Sequence, residues 1–171
     1  MTEHFHVIFI CTGNICRSPT AHGVFREKVR ARGWQNKVRV DSAGTHDYHP
    51  GEPSDPRSQR HARKRGYDLS DLRARQLVDL DFERADLLLV MDGDNLAQTA
   101  KRCPPEHRYK LHRLTEFCSK HESPIVPDPY YGNHDGFERV LDLVEDACDG
   151  LLDHVQRQLM ARRGLAAPDE R

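Results

Sequence analysis

The sequence contains no apolar run approaching the ~20 residues that a membrane-spanning helix needs, and its mean hydropathy is -0.78. Met1 to His6 carry Glu and two His where a secretory leader would carry positive charge and then a long apolar stretch. These two absences give the expectation of a cytoplasmic chain without membrane insertion. Net charge is also nearly absent: 26 Lys and Arg stand against 27 Asp and Glu, a formal charge of -1. No global field therefore draws the chain to nucleic acid, and any preference for anions must come from a local site. Cysteine is sparse, with five residues in no dense framework, which suits a reducing compartment. Cys11 and Cys16 lack further ligands at metal-binding spacing, and the Gly-Lys-Ser/Thr ending of an ATP-binding loop is missing. No metal and no cofactor are expected.

The 171 residues suffice for one domain with a continuous core. His6 to Ile10 is a short Val, Ile and Phe run that stops at Thr-Gly-Asn, and so predicts a buried strand followed by a tight loop. Ser18-Pro19 predicts a helix start, with Ser as N-cap and Pro at the first helical position, and Gly33 its end. Lys37 to Asp41 predicts a second strand, Ala85 to Met91 a third and Tyr109 to Leu111 a short fourth. Helices are expected over 57–65, 92–101 and, from the apolar spacing, 136–162, while the basic run of Arg57, Arg60, Arg63, Lys64 and Arg65 reads as a solvated helix face. Strands of unbroken hydrophobicity separated by helices predict a parallel sheet covered on both faces, with a ligand at the carboxyl end of the first strand.

That place is occupied by Cys11-Thr12-Gly13-Asn14-Ile15-Cys16-Arg17-Ser18. A loop between strand end and helix start aims several backbone N–H groups at one point, where the helix dipole adds positive potential. Arg17 adds a planar fork suited to two phosphate oxygens, Gly13 offers a backbone freedom closed to other residues, and no acidic residue opposes them. Such surroundings favour a thiolate, and a thiolate at Cys11 beneath a bound phosphate is an in-line nucleophile that the Ser18 hydroxyl could stabilise. Asp128 stands between Pro127 and Pro129, a setting that by itself reads as turn chemistry.

Cys11-x5-Arg17-Ser18-Pro19, with Asp128-Pro129-Tyr130-Tyr131-Gly132 far downstream, resembles the low-molecular-weight protein tyrosine phosphatase family. Asp41-Ser42-Ala43-Gly44-Thr45, Ala74-Arg75-Gln76 and Met91-Asp92 extend the likeness over almost the whole chain. The resemblance implies a single three-layer α/β domain over residues 1–163, with a four-stranded parallel sheet of the flavodoxin-like type, and a flexible tail over 164–171. It implies hydrolysis of phosphotyrosine in proteins or peptides through a phosphocysteine on Cys11, with Arg17 binding phosphate and Asp128 acting as general acid and then base. Tyr48, Tyr130 and Tyr131 would wall the substrate cleft, with His46 and His49 at its rim. Asn14 and Ser42 would support the loop, with Leu72 standing where the family usually has a supporting His. Cys16 would trap an oxidised Cys11 as a disulfide. Arsenate reductases share the loop but need two further close cysteines, which residues 69–96 lack; arginine phosphatases typically have Thr in place of Ile15. A catalytically silent phosphotyrosine-binding module is the alternative of another class, and the joint presence of Cys11, Arg17 and Asp128 speaks against it.

Overall fold

The N-terminal apolar run forms β1 (Phe5–Cys11), which sends Phe5, Val7, Phe9 and Cys11 into one core cluster and Ile8 and Ile10 into another. Because both faces are covered, the strand shows no polar alternation. The structure is a computed structural model and describes residues 4–130, 132 and 134–162; Tyr131 and the tail over 164–171 lie outside them. β2 (Val38–Gly44), β3 (Leu87–Val90) and β4 (Leu111–Arg113) complete a four-stranded parallel sheet in the order β2-β1-β3-β4. The register sets Gly44 beside Cys11 and Val90 beside Ile10, so the residues just beyond β3 arrive next to the end of β1.

α1 (Arg17–Ala31) and the long α5 (His134–Arg162) cover one face through Val24, Phe25, Val144, Cys148 and Leu151. α3 (Asp79–Arg84) and α4 (Gly93–Arg102) flank the other, where Phe82, Leu96 and Cys103 meet Ile8, Ile10, Leu88 and Val90. α2 (Pro56–Lys64) lies against α5. The expected three-layer α/β domain is thus the one formed. Among the described residues no helix is long and apolar enough to cross a membrane.

Several boundaries differ from expectation for local reasons. α1 begins at Arg17, with Cys16 as an N-cap that makes no side-chain capping bond, because the Ser18 hydroxyl is engaged with Cys11 and Asn14 instead. β2 runs on to Gly44 because it pairs with β1 along its full length. Residues 105–110, including Tyr109, form a 3-10 turn, so β4 starts only at Leu111. The unforeseen α3 has six residues, too few to show a helical period.

Candidate active site

Residues 12–16 join β1 to α1, and four carbonyls between Cys11 and Cys16 accept backbone hydrogen bonds. The carbonyls of Cys11, Thr12, Ile15 and Cys16 accept from the amides of Thr45 (2.8 Å), His46 (3.0 Å), Asp55 (2.8 Å) and Thr20 (3.3 Å). Among the described residues the amides of 13–16 donate to no protein acceptor, which leaves a nest of N–H groups at the start of α1. The left-handed conformation falls on Asn14 (φ 58°) rather than on Gly13, correcting the expectation. Asn tolerates that region better than most residues, and its amide is held at both ends. Oδ1 accepts from the Arg75 amide at 3.0 Å, and Nδ2 donates to Ser18 Oγ at 2.7 Å. Gly13 instead makes room, since a Cβ there would lie 3.2 Å from Cδ2 of His49.

Ser18 Oγ lies 3.0 Å from Cys11 Sγ and 3.4 Å from the Ala43 carbonyl, and the Ser18 amide donates to the same sulfur at 3.4 Å. Because Asn14 already donates to this hydroxyl, its proton is left for the sulfur or the more distant carbonyl. Arg17 is only 2% exposed. Its Nη1 donates to Asp92 Oδ2 at 2.6 Å and to the Val126 carbonyl at 3.0 Å. Nη2 donates to Thr12 Oγ1 at 3.3 Å and stands 3.6 Å from Asp128 Oδ2. Burial alone would lower its pKa, but Cys11, Asp92 and Asp128 outweigh that and keep the guanidinium charged. Asp128 serves a turn through Oδ1, which accepts from the Tyr130 amide at 3.1 Å, while Oδ2 faces Arg17.

Cys11, Thr12, Arg17 and Asp128 line a single cleft with Ile15 and Cys16. Tyr48 forms part of its wall, 61% exposed and stacked on His46 at 4.8 Å and 10°. Tyr130 lines it too, 6.2 Å from His49 and with the Arg57 guanidinium 5.6 Å from its ring centre. Burial, and next the charge of Asp55, push the Cys16 thiol up to about 12.

The family model described as low molecular weight phosphotyrosine protein phosphatase matches residues 6–161. The chain belongs to this family. A putative low molecular weight protein-tyrosine-phosphatase of Synechocystis is 41% identical over 155 residues, 90% of this chain and 98% of the relative. A member from Streptomyces coelicolor is 42% identical over 161 residues, 92% of this chain and 98% of the relative. Among solved structures, a protein tyrosine phosphatase of Entamoeba histolytica with Hepes in the active site is similar at a TM-score of 0.88, with 37% identity over 91% of this chain and 99% of that one. YfkJ of Bacillus subtilis gives 0.86, with 31% identity over 91% and 97%.

Within this low-molecular-weight phosphatase, one expectation about loop support changes. Ser42 makes no bond to Asn14; its hydroxyl lies 2.9 Å from Nδ1 of His22. Leu72 packs into the core with 8% exposure and gives the loop no hydrogen bond. Burial, and next the charge of Arg26, lower the His22 pKa to about 4, so the ring is neutral in the folded protein. The reading from sequence also missed Asp92, which caps α4 through Asn95 (2.7 Å) as well as pairing with Arg17. Its signal was positional: an acid just beyond the third buried strand falls beside the first strand's end in a parallel sheet. Asn95, whose Nδ2 donates to Thr12 Oγ1 at 3.2 Å, gave no such signal.

Proposed function

We propose that this chain hydrolyses phosphotyrosine and other aryl phosphate monoesters through a phosphocysteine on Cys11. The Cys11 thiolate attacks phosphorus as the P–O bond to the ring breaks, and protonated Asp128 gives its proton to the leaving phenolate. Water then attacks the phosphocysteine, Asp128 takes its proton, and the P–S bond breaks to return the thiolate and release phosphate. The loop amides and Arg17 hold the phosphoryl oxygens through both steps. Ser18 steadies the sulfur, being 3.0 Å from it. The observation that carries the reading is the 3.6 Å approach of Asp128 Oδ2 to Arg17, which brings a residue 111 positions downstream into the cleft of the loop. Ile15 in the cleft, together with Tyr48 and Tyr130, suits an aromatic ring. Tyr131, expected in the same wall, lies outside the described residues.

An arsenate reductase would need a cysteine relay. Cys103 packs with the cluster on one face of the sheet and Cys118 against the cluster on the other, so these two cannot form one. The five cysteines are all free, in keeping with a cytoplasmic, reducing location. Turnover of para-nitrophenyl phosphate and of phosphotyrosine peptides tests the proposal. Wild type releases phosphate, Cys11→Ser releases none, and Asp128→Ala retains a small fraction; turnover surviving Cys11→Ser would end it.

Reversible oxidation belongs to the same proposal. Peroxide converts Cys11 to a sulfenic acid, and Cys16 displaces water to close a disulfide. With the Cys16 thiol held up to about 12, closure is slow at neutrality and speeds as pH rises. Intact mass after brief peroxide treatment at pH 7 and pH 9 reads this. A loss of two hydrogens favoured at pH 9 supports it, and over-oxidation of Cys11 without disulfide at either pH removes it.

A further inference from the structure

α2 begins at the wall of the cleft. The Asp55 amide before it donates to the Ile15 carbonyl at 2.8 Å, and Arg57 Nη2 in its first turn donates to the Tyr130 carbonyl at 3.0 Å. Two of its cations are neutralised: Arg57 pairs with Asp55 at 2.9 Å, and Arg65, just beyond, with Asp142 at 3.0 Å and Glu145 at 2.8 Å. The others are not. Arg60, Arg63 and Lys64 are exposed, and among the described residues none has an acidic partner. Their spacing of three and four places them on one helix face. In a chain of net charge -1, three neighbouring unpaired cations are a local feature rather than part of a basic surface.

On the other side of the cleft Asp47, exposed and without a cationic partner among the described residues, stands next to Tyr48. The rim is therefore positive beyond Tyr130 and negative beside Tyr48. At 1.5 Å per residue, Lys64 lies ~10 Å along the helix from Arg57, about three residues of an extended peptide at ~3.3 Å each. A peptide that runs from the cleft along α2 would bring the residues next to its phosphotyrosine within reach of these cations.

We propose that Arg60, Arg63 and Lys64 form a docking face for acidic residues flanking the phosphotyrosine of the substrate, which Asp47 helps to orient. The proposal rests on the phosphatase reading and adds the class of sequence that the site prefers. Exposed charges act over about a Debye length, ~10 Å at moderate salt, so the preference is salt-sensitive.

The test measures kcat/KM for para-nitrophenyl phosphate and for three phosphotyrosine peptides, with acidic residues before the tyrosine, acidic residues after it, or Asn and Gln throughout. Wild type is compared with Arg60→Glu/Arg63→Glu/Lys64→Glu and with Arg60→Gln/Arg63→Gln/Lys64→Gln. The small substrate controls for folding and chemistry, and it is expected to change less than twofold. One of the two acidic peptides should lose about tenfold with the Glu triple and about threefold with the Gln triple, through KM, with the difference gone in high salt. Equal effects on acidic and neutral peptides, or none on either, overturn the docking face while leaving the phosphatase reading intact. Failure of wild type on the small substrate would instead strike that reading. Charge-dependent binding to phosphatidylserine vesicles, with peptide turnover unchanged by the substitutions, would assign the face to membranes and also overturn the proposal.

Discussion

Arg17 carries a permanent charge into a site where it is 2% exposed, and its two carboxylate neighbours differ in standing. Asp92 is the close partner at 2.6 Å, while Asp128 at 3.6 Å is 45% exposed and remains available to a substrate. Asp92→Asn keeps a side chain able to cap α4 but removes the ion pair. Hydrogen bonds to charged groups contribute about 1.5–3 kcal/mol, so kcat/KM should fall roughly 10- to 100-fold, with a lower melting temperature. Unchanged kcat/KM would show that Arg17 needs no anchor. His22 offers a second test at this scale. Its folded pKa of about 4 lies below the ordinary 6.5, so between these values the unfolded state binds more protons and acid weakens the fold. The full shift corresponds to a loss on the order of 3 kcal/mol. Denaturant unfolding of wild type and His22→Asn across pH 7 to pH 4 should show the variant losing less stability in that window. Parallel curves would contradict the assignment.

At the scale of elements, α5 carries a glycine in its middle for a specific reason. A Cβ on Gly150 would lie 2.1 Å from the Phe117 carbonyl oxygen, a backbone atom that cannot turn aside. Gly150→Ala, favourable by helix propensity, should therefore destabilise by about 2–3 kcal/mol in thermal or denaturant unfolding; a more stable variant would refute the contact. The length of α5 and the apolar character of β1 and β3 were legible because long or unbroken patterns report burial directly. The six residues of α3, the 3-10 turn before β4 and the extension of β2 were not, since each is decided by contacts with distant chain. The site divided in the same way. Cys11, Arg17 and Ser18 were readable as one contiguous loop, and Asp128 only through resemblance, while the His22–Ser42 contact joins α1 to β2 and has no local signature.

Across the molecule, buried carboxylates set how the fold meets acid. Burial would raise the carboxyls of Asp55 and Asp146, but Arg57 bonds to the first, and the amides of Ser119, His121 and Lys120 to the second, hold both below the ordinary range. Their contribution is present above the unfolded carboxylate pKa and lost as pH falls through the lower folded value. Acid unfolding of wild type should then begin with His22 and steepen below about pH 4. The same assembly sets two carboxylates around one buried cation beside the Cys11 loop, and in the proposed reaction the phosphoryl group passes through Cys11. The direct measurement is a denaturing quench of Asp128→Ala during turnover of para-nitrophenyl phosphate, followed by peptide mass analysis. One phosphoryl group on the peptide bearing Cys11, absent from Cys11→Ser, is expected; phosphate release with no phosphorylated cysteine at any time point would rule out the covalent route.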